Sequence, residues 1–301
     1  MTQPNRHADA WMVVLGALLI SCKGILVKFL YADGVTVDAA LFLRSVLALP
    51  MIWAWGWLRV GPGALFGCPP MMIVGAVVAG LAAYYLGAWL DFAALMLIDA
   101  SLERILLFTY PVIVVVARAL MLRRWPTQRM LLAVALAYVG IFFAVGGINA
   151  HMWQANGVGA LLVIGSACCF TYFLIANERA AAVIGSVPFI VFAMTASAVA
   201  FSAHFVVVGD VSDLGLGLRA WIMLVAMTAV TNVLPLFMFS ASINNIGAQR
   251  AAIISSVGPP MTIVMAWYWL GESMLPSQIV GAALIVVGVV VLETGRARSP
   301  I

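Results

Sequence analysis

The feature that constrains this chain most is a series of long apolar runs separated by short polar segments. The runs fall at 11–30, 37–57, 71–90, 101–122, 128–147, 157–176, 187–208, 221–240, 248–269 and 278–293. A helix needs about 20 apolar residues to cross the hydrocarbon core of a bilayer. A membrane β-strand would be about half as long and would alternate polar with apolar residues. The sequence therefore predicts an all-α integral membrane protein with ten transmembrane helices.

The composition indicates the same class of protein. Hydrophobic residues make up 65% of the chain and charged residues only 9%, and the mean hydropathy is +1.13. Soluble domains are about half apolar and about a quarter charged. The net charge of +4 comes from basic residues at the ends of apolar runs, which is typical of membrane topology and argues against nucleic acid as a partner.

The sequence shows no motif typical of metal binding, cofactor binding or ATP hydrolysis. The histidines are scattered and the cysteines form no CxxC pair, so we expect no metal centre and no cofactor. No nucleotide-binding GxxxxGK[ST] motif occurs, which argues against direct use of ATP. A membrane-embedded transferase would need a grouped general base or a metal cluster. We therefore expect a protein that is not an enzyme.

The distribution of arginines predicts the orientation of the helices. If the N-terminus is cytoplasmic, the inner segments and helix ends hold Arg6, Arg59, Arg123, Arg124, Arg129, Arg179, Arg250, Arg296 and Arg298. The outer loops then hold only Arg219, together with Asp33, Asp91, Asp99, Asp210 and Asp213. Positive charge favours the cytoplasmic side. Both termini are therefore expected in the cytoplasm, with the chain in the cell inner membrane.

The two halves of the chain resemble each other. A shift of 148 residues places Ala93 on Ala241, Ile98 on Ile246 and Pro111 on Pro259. Five helices per half is an odd number, so residues 148–301 would enter the membrane inverted relative to residues 1–147. Such repeats place a binding site near the midplane and rock around it. Chance similarity between two apolar sequences is the alternative.

The second half carries the run GAQRAAIISSVGPPMTIVMAWYWLGESMLPSQIVGAALIVVG. Its parts are a small-residue opening, a proline inside the ninth span, Leu-Gly-Glu, a glutamine and a glycine-rich tenth span. With this run the chain resembles the EamA-type branch of the drug/metabolite transporter superfamily, and within it the YddG-like amino-acid exporters. The first half has a weaker counterpart in Tyr110-Pro111 and Gly140, with Leu-Arg-Arg at 122–124 in place of Leu-Gly-Glu. The resemblance implies ten helices in two inverted five-helix repeats and the transport of small metabolites.

Ionisable residues inside spans are candidate site residues, because a charge at mid-bilayer costs about 2.5–3.5 kcal/mol on insertion scales. Lys23 lies in the middle of the first span, and Arg44 lies about two turns inside the second. A structural ion pair is the alternative role for both, with Glu103 or Asp99 as partners of Arg44. Glu103 and Arg104 open the fourth span, where an interfacial helix start is the alternative.

Glu103 and Tyr110 are seven residues apart and share one stripe of the fourth helix. Facing a cavity, this stripe would present a carboxylate and a phenol, while Lys23 and Arg44 supply cations from neighbouring helices. Opposite charges held apart suit a zwitterionic substrate. Glu103 is also the first candidate for proton coupling, although facilitated diffusion fits the sequence equally well.

Further candidates come from aromatic, polar and proline residues within the spans. Aromatic residues of the third span that are candidates for substrate binding, with belt or core packing as the alternative, are Tyr84, Tyr85 and Trp89. Polar residues close to helix breaks, which either bind substrate or repair the backbone, are Asn232, Ser255 and Ser256. Candidate hinge positions, where a missing N–H frees a carbonyl, are Pro111, Pro235, Pro259 and Pro260.

The function that the sequence favours is secondary transport by alternating access around a central cavity. We expect export of small amphipathic metabolites, above all neutral and aromatic amino acids. The alternative on the same fold is translocation of drug-like cations, sugars, nucleosides or lipid-linked sugars. The basic bias of Lys23 and Arg44 argues mildly against cations.

Overall fold

The computed structural model describes residues 6–121, 123, 127–181, 183–235, 238 and 257–296. All regular structure in these ranges is helical. The described helices that are long and apolar enough to cross a membrane number seven: Trp11–Ala32, Val37–Phe66, Pro70–Leu97, Ala100–Met121, Gln128–Val145, Ala150–Ala180 and Ser186–Val208. Two shorter apolar helices follow, Leu218–Val233 and Pro276–Val291. The first part of the predicted ninth span lies outside the described residues.

We number the α-helices in chain order. The first six are α1 (Arg6–Ala32), α2 (Val37–Phe66), α3 (Pro70–Gly80), α4 (Ala88–Leu97), α5 (Ala100–Leu107) and α6 (Tyr110–Met121). The next six are α7 (Gln128–Val145), α8 (Ala150–Ala181), α9 (Ser186–Val208), α10 (Leu218–Met227), α11 (Gly258–Leu270) and α12 (Pro276–Arg296). Two π-helical segments, Leu81–Gly87 and Thr228–Val233, extend α3 and α10, and a 3₁₀ turn covers Val211–Leu214.

The two ends of the bundle differ in charge. At one end Arg219 pairs with Asp33 at 3.3 Å, and Thr36 donates to Asp213 at 3.1 Å, so the loops after α1 and α9 meet there. We call this the acidic end. The other end, where α2 and α8 finish and α7 begins, carries Arg59, Arg123, Arg129 and Arg179. We call it the arginine-rich end.

The third predicted span is longer than the sequence indicated. The apolar run was expected to end at residue 90, with Asp91 in a loop, but α4 continues to Leu97. Asp91 is consequently buried inside the bundle and is only 5% exposed. The error arose because a single acid inside a long apolar helix resembles a helix end when only hydropathy is read.

The fourth span is broken into two helices. α5 ends at Leu107 and α6 begins at Tyr110, directly before Pro111. The Thr109 hydroxyl donates to the Leu106 carbonyl at 2.7 Å, which satisfies one of the acceptors that the break leaves without a helical partner. The chain therefore has a structural break next to one of the predicted hinge prolines.

The other predicted hinge prolines lie at element boundaries. Pro259 and Pro260 occupy the first turn of α11, where proline is tolerated because the helix needs no N–H donor there. Pro235 is buried two residues beyond the second π-helical segment. π-Helical turns occur frequently at functional sites, and this one contains the candidate residue Asn232.

Small residues bring helices from distant parts of the chain into close contact. A Cβ built on Gly80 would lie 2.1 Å from the Ala193 carbonyl oxygen of α9. A Cβ on Gly281 of α12 would lie 2.5 Å from the Gly140 carbonyl oxygen of α7. Close backbone approach of this kind is a common means of association between helices in lipid. The first helices of the chain are thereby packed directly against its later ones.

A stability prediction follows from this packing. Replacing Gly80 with Ala forces α3 away from α9, and we expect a loss of about 1–3 kcal/mol, as overpacked cores show. Gly75→Ala on the same helix is the matched control, because a Cβ there meets nothing within 4 Å. Thermal unfolding of both variants in one detergent is the measurement. A Gly80→Ala protein as stable as Gly75→Ala would contradict the close contact.

Candidate functional site

Five ionisable side chains from four helices gather inside the bundle. We call Lys23, Arg44, Asp91, Glu103 and Arg104 the charged cluster. Asp91 and Glu103 are buried, with Glu103 only 1% exposed, and Arg44 is 9% exposed. Charges at such depth cost free energy, and those found inside a membrane protein are paired or mark a functional site. The cluster is therefore the first candidate for a functional site.

Lys23 lies between the two carboxylates of the cluster. Its Nζ donates to Asp91 Oδ2 at 2.5 Å and to Glu103 Oε1 at 3.1 Å. These contacts join α1 to both α4 and α5. A short loop after Leu97 connects α4 to α5. One ammonium group thus partly compensates two buried acids and links three helices.

A glycine beside Lys23 makes this geometry possible. A Cβ on Gly24 would lie 3.1 Å from the Ala100 Cβ and 3.5 Å from Glu103 Oε2. A larger residue at this position would hold α1 away from the start of α5. The sequence Lys23-Gly24 therefore supplies both the cation and the space that it needs.

Arg44 is buried without an ion pair among the described residues. Its guanidinium lies over the ring of Phe92, 5.0 Å from the ring centroid, and its Nε has no hydrogen-bond partner in the part of the chain that the structure describes. It interacts electrostatically with Asp91, Tyr84 and Tyr31. A cation over an aromatic face is partly stabilised, but its hydrogen-bonding capacity stays largely unused.

Arg104 is the second guanidinium of the cluster with an unused donor. Its Nε is buried and has no partner among the described residues. A terminal nitrogen lies 3.1 Å from where a Cβ of Gly258 would be, so Arg104 reaches the start of α11. Arg104 also interacts electrostatically with Lys23 and Glu103.

The charges of the cluster do not cancel. Three cations face two carboxylates, which formally leaves one positive charge inside the bundle. Asp91 Oδ1 likewise has no hydrogen-bond partner among the residues described, although Oδ2 of the same group contacts Lys23. The cluster therefore offers unused donors on Arg44 and Arg104 and an unused acceptor on Asp91. This arrangement can bind a carboxylate and, beside it, an ammonium group.

The aromatic candidates of the third span separate into different environments. Tyr84 is half-buried, packs edge-on against Phe173 with centroids 4.9 Å apart, and belongs to the surroundings of Arg44. The Tyr85 hydroxyl contacts His204 Nδ1 at 2.7 Å. Trp89 Nε1 donates to Asp38 at 3.3 Å. Of the three, only Tyr84 lies beside the charged cluster.

The remaining candidates are not brought to the cluster by any described contact. Tyr110 packs edge-on against Phe170, with ring centroids 5.3 Å apart. Asn232 lies in the second π-helical segment and is half-buried. Ser255 and Ser256 lie outside the described residues.

The contacts of Lys23 and Arg44 bear on the alternative that the sequence left open for both. Lys23 is in direct contact with both acids, which is the structural ion pair given as its alternative role. Arg44 lies over Phe92 and near Asp91, and among the described residues it forms no ion pair with Glu103 or Asp99, the partners considered for it. The phase and depth of a residue on its own helix do not reveal which neighbouring helix it faces, so the surroundings of Arg44 could not be predicted.

Sequence reasoning also missed two members of the cluster. Asp91 was assigned to a loop, although its helical spacing to Tyr84 and Gly87 placed it on the same face. Arg104 was recognised as an ionisable residue at the start of the fourth span but, unlike Glu103, was not included among the candidate site residues. One sequence signal could have identified both residues. Each is an ionisable residue that lies within one helical turn of residues already assigned to the membrane.

A second contact holds the acidic end of the bundle together. The Glu272 carboxylate accepts from the Ala100 and Ser101 backbone N–H groups at 2.9 and 3.1 Å, and from the Ser101 hydroxyl at 2.6 Å. Carboxylates are favourable at helix N-termini, where backbone N–H groups have no partner. The Glu of the Leu-Gly-Glu motif thus anchors the loop before α12 to the start of α5, three residues from Glu103.

Comparison with known proteins establishes the class of protein that this fold and site belong to. The model of the EamA-like transporter family matches residues 8–146 and again residues 157–294, which together cover most of the chain. The chain belongs to the EamA-like transporter family and is a multi-pass membrane transporter.

Individual relatives agree with this assignment. The chain is 31% identical over 281 residues to the Bacillus subtilis protein named "Uncharacterized transporter YcbK", covering 91% of this chain and 89% of that protein. It is 23% identical over 288 residues to an "Uncharacterized transporter" of Archaeoglobus fulgidus, covering 95% and 96%. A solved structure described only as a crystal structure of a protein matches with a TM-score of 0.66 and 17% identity, over 98% of this chain and 100% of that one. The last likeness concerns the fold alone.

The contacts of Lys23 predict a large effect on stability. Lys23→Met leaves two buried carboxylates without their common partner, and breaking a buried pair in this way costs about 3–5 kcal/mol. Lys28→Met, a half-buried lysine one and a half turns further along α1, is the control, and we expect it to change stability little. Thermal unfolding in detergent measures both. Equal losses in the two variants would contradict a special role for Lys23.

The neighbourhood of Glu272 predicts a pH-dependent effect at Asp99. Partial loss of hydration raises the pKa of Asp99, the charge of Glu272 raises it further, and Lys28 opposes both. The raised pKa means that stability falls as the pH rises from the unfolded-state value of about 3.9 through the native-state value. We therefore expect Asp99→Asn, which keeps a good helix cap, to stabilise the protein at neutral pH and to change nothing below pH 3.5. A gain that is the same at both pH values would be inconsistent with this origin.

Proposed function

We propose that this transporter is a secondary carrier that exports small amphipathic metabolites bearing a carboxylate, above all neutral and aromatic amino acids, by alternating access. The observation that carries the proposal is the charged cluster, with its unmatched positive charge and its unused guanidinium donors. An isolated charge in a low-dielectric interior is expensive. A substrate carboxylate compensates it.

Two members of the cluster suit carboxylate recognition. Guanidinium groups bind carboxylates through paired, charge-assisted hydrogen bonds. Arg44 and Arg104 each have a buried Nε with no hydrogen-bond partner in the described ranges, and each carries further donors on the same planar group. A carboxylate that reaches either residue gains bonds without breaking an existing ion pair.

Asp91 of the charged cluster can bind the ammonium group of an amino acid. Asp91 Oδ1 is buried and has no hydrogen-bond partner within the described structure, and Asp91 interacts electrostatically with Arg44. An α-ammonium at Oδ1 with the α-carboxylate at Arg44 satisfies both groups at once. We therefore propose a zwitterion site in which Arg44, one of the two cations first considered, binds the carboxylate, and Asp91 takes the place of Glu103 as the acid that binds the ammonium group.

Aromatic side chains beside Arg44 support a preference for neutral and aromatic substrates. Phe92 lies under the guanidinium, and Tyr84 and Tyr31 are near enough to interact with it electrostatically. These rings offer apolar surface and π-faces to a substrate side chain. An acidic or strongly basic substrate side chain would find no equivalent partner among the residues described around Arg44.

The architecture we propose for this function is ten helices in two inverted five-helix repeats, residues 1–147 and 148–301, with both termini in the cytoplasm and the chain in the cell inner membrane. Support comes from the two separate matches to one family model and from the π-helical segments in the third and eighth spans. The inward side would be the arginine-rich end. Glu103 is the group we propose for proton coupling if transport depends on a proton gradient.

The test is counterflow in liposomes of the purified protein. Vesicles are loaded with one unlabelled compound at a time, and uptake of a labelled neutral or aromatic amino acid is followed. We expect saturable exchange with neutral and aromatic amino acids and none with their carboxamides. Exchange only with sugars, nucleosides or organic cations would overturn the proposed substrate class.

One variant identifies the contribution of Arg44 to transport. Arg44→Gln keeps a hydrogen-bond donor but removes the charge, and we expect exchange to fall about 10- to 100-fold, as the loss of a charge-assisted hydrogen bond implies. Arg59→Gln, an exposed arginine at the end of the bundle, is the control and is expected to transport normally. Normal exchange by Arg44→Gln would remove Arg44 from the site.

A further inference from the structure

A groove separate from the charged cluster opens near the arginine-rich end of the bundle. Its volume is about 540 Å³, and its walls come from α3, α6, α8 and the start of α9. None of the cluster residues lines it. We call it the lateral groove and define it by Met71, Gly75, Thr171, Arg179 and Phe189. Its volume falls within the range of about 300–1,000 Å³ that ligand sites occupy.

The lateral groove includes exposed residues of membrane-spanning helices. Met71 is 78% exposed and Tyr172 is 47% exposed, and both lie on the surface of membrane-spanning helices. Such surface is in contact with lipid in a membrane protein. A molecule can therefore enter the groove sideways from the bilayer.

The lateral groove contains one buried polar residue, Thr171, with unused hydrogen-bonding capacity among the described residues. Thr171 lines the groove and is 4% exposed, and its buried hydroxyl has no hydrogen-bond partner among the described residues. Serine and threonine hydroxyls inside a helix normally bond to a carbonyl one turn earlier. A buried hydroxyl left unpaired costs free energy, and a ligand acceptor in the groove would remove that cost.

A cation lies at the mouth of the same groove. Arg179 lines it, is exposed, and has no ion pair with any residue that the structure describes. The adjacent acid, Glu178, pairs with Arg118 of α6 and so does not neutralise Arg179. The charge is available to an anion at the membrane surface.

The spacing of Thr171 and Arg179 along α8 matches one class of ligand. Arg179 follows Thr171 by eight residues, or about 12 Å along the helix axis. Side chains of a helix lean toward its N-terminus, which brings the guanidinium toward the Thr171 hydroxyl. A phosphate at the interface followed by ester oxygens and then an apolar chain fits this order of groups. Basic residues at a membrane surface attract anionic lipids.

We propose that the lateral groove binds a glycerophospholipid with an anionic headgroup. The phosphate is held by Arg179, an ester oxygen accepts from the Thr171 hydroxyl, and an acyl chain lies against the methionines of α3 and α6. Methionine walls adapt easily to a flexible chain. The site does not depend on the identity of the transported substrate.

Native mass spectrometry of the purified full-length protein tests this assignment. The protein is exchanged into detergent containing dioleoyl phosphatidylglycerol or dioleoyl phosphatidylcholine, which differ in headgroup alone. We expect about fivefold greater retention of phosphatidylglycerol, the preference that one basic residue provides. Arg179→Gln should remove the preference, and Thr171→Val should weaken retention of both lipids.

Two further variants separate the groove from general surface charge. Gly75→Leu should block retention of both lipids, because a side chain there projects into open space next to the groove. Arg59→Gln alters an exposed arginine that does not line the groove, and it should leave retention unchanged. The Arg179→Gln result decides the matter even if Gly75→Leu fails to fold.

Several results would overturn the assignment. Equal retention of the two lipids by the native protein would do so, as would equal effects of Arg59→Gln and Arg179→Gln. Displacement of the bound lipid by soluble glycerol phosphate would show that the site recognises a free phosphate ester. Loss of transport in Gly75→Leu with unchanged lipid retention would assign the groove to the substrate path instead.

Discussion

The bridge from Lys23 to Asp91 and Glu103 is the interaction on which the centre of this transporter depends. It places an ammonium group between two acids that are otherwise buried in the bundle. Because the three side chains come from α1, α4 and α5, the bridge also fixes the relative positions of these helices. Arg44 and Arg104 complete the cluster around this bridge, and the Nε atom of each has no hydrogen-bond partner among the described residues.

The unpaired groups link this structure to transport. A carrier must bind its substrate strongly enough to select it and weakly enough to release it. Under the proposed function, a site that lacks one negative charge meets both needs, since a substrate carboxylate would complete the cluster and its departure would restore it. Glu272, bound to the first residues of α5, connects the same helix to the loop before α12. A movement of α12 relative to α5 would therefore also displace Glu103, which lies three residues after Ala100.

Much of the fold could be predicted from the sequence, because apolar runs of about twenty residues leave a chain few alternatives. Lys23, Arg44 and Glu103 were identified by their depth alone, and the resemblance in the second half led to the correct family. Asp91 was missed because hydropathy alone placed the helix end at residue 90. The partners of Arg44, Tyr85 and Trp89 could not be predicted, because contacts between helices depend on the rotation and tilt of each helix, which hydropathy and helical phase do not specify.

The central claim is that the charged cluster recognises a substrate carboxylate, and equilibrium binding tests it most directly. Thermal stabilisation of the purified protein is measured with a neutral amino acid and with its carboxamide, which has nearly the same shape and lacks the negative charge. The account predicts a rise in Tm that saturates with the amino acid and is absent with the carboxamide. Equal stabilisation by the two compounds would contradict the account, because recognition would then not involve the carboxylate charge.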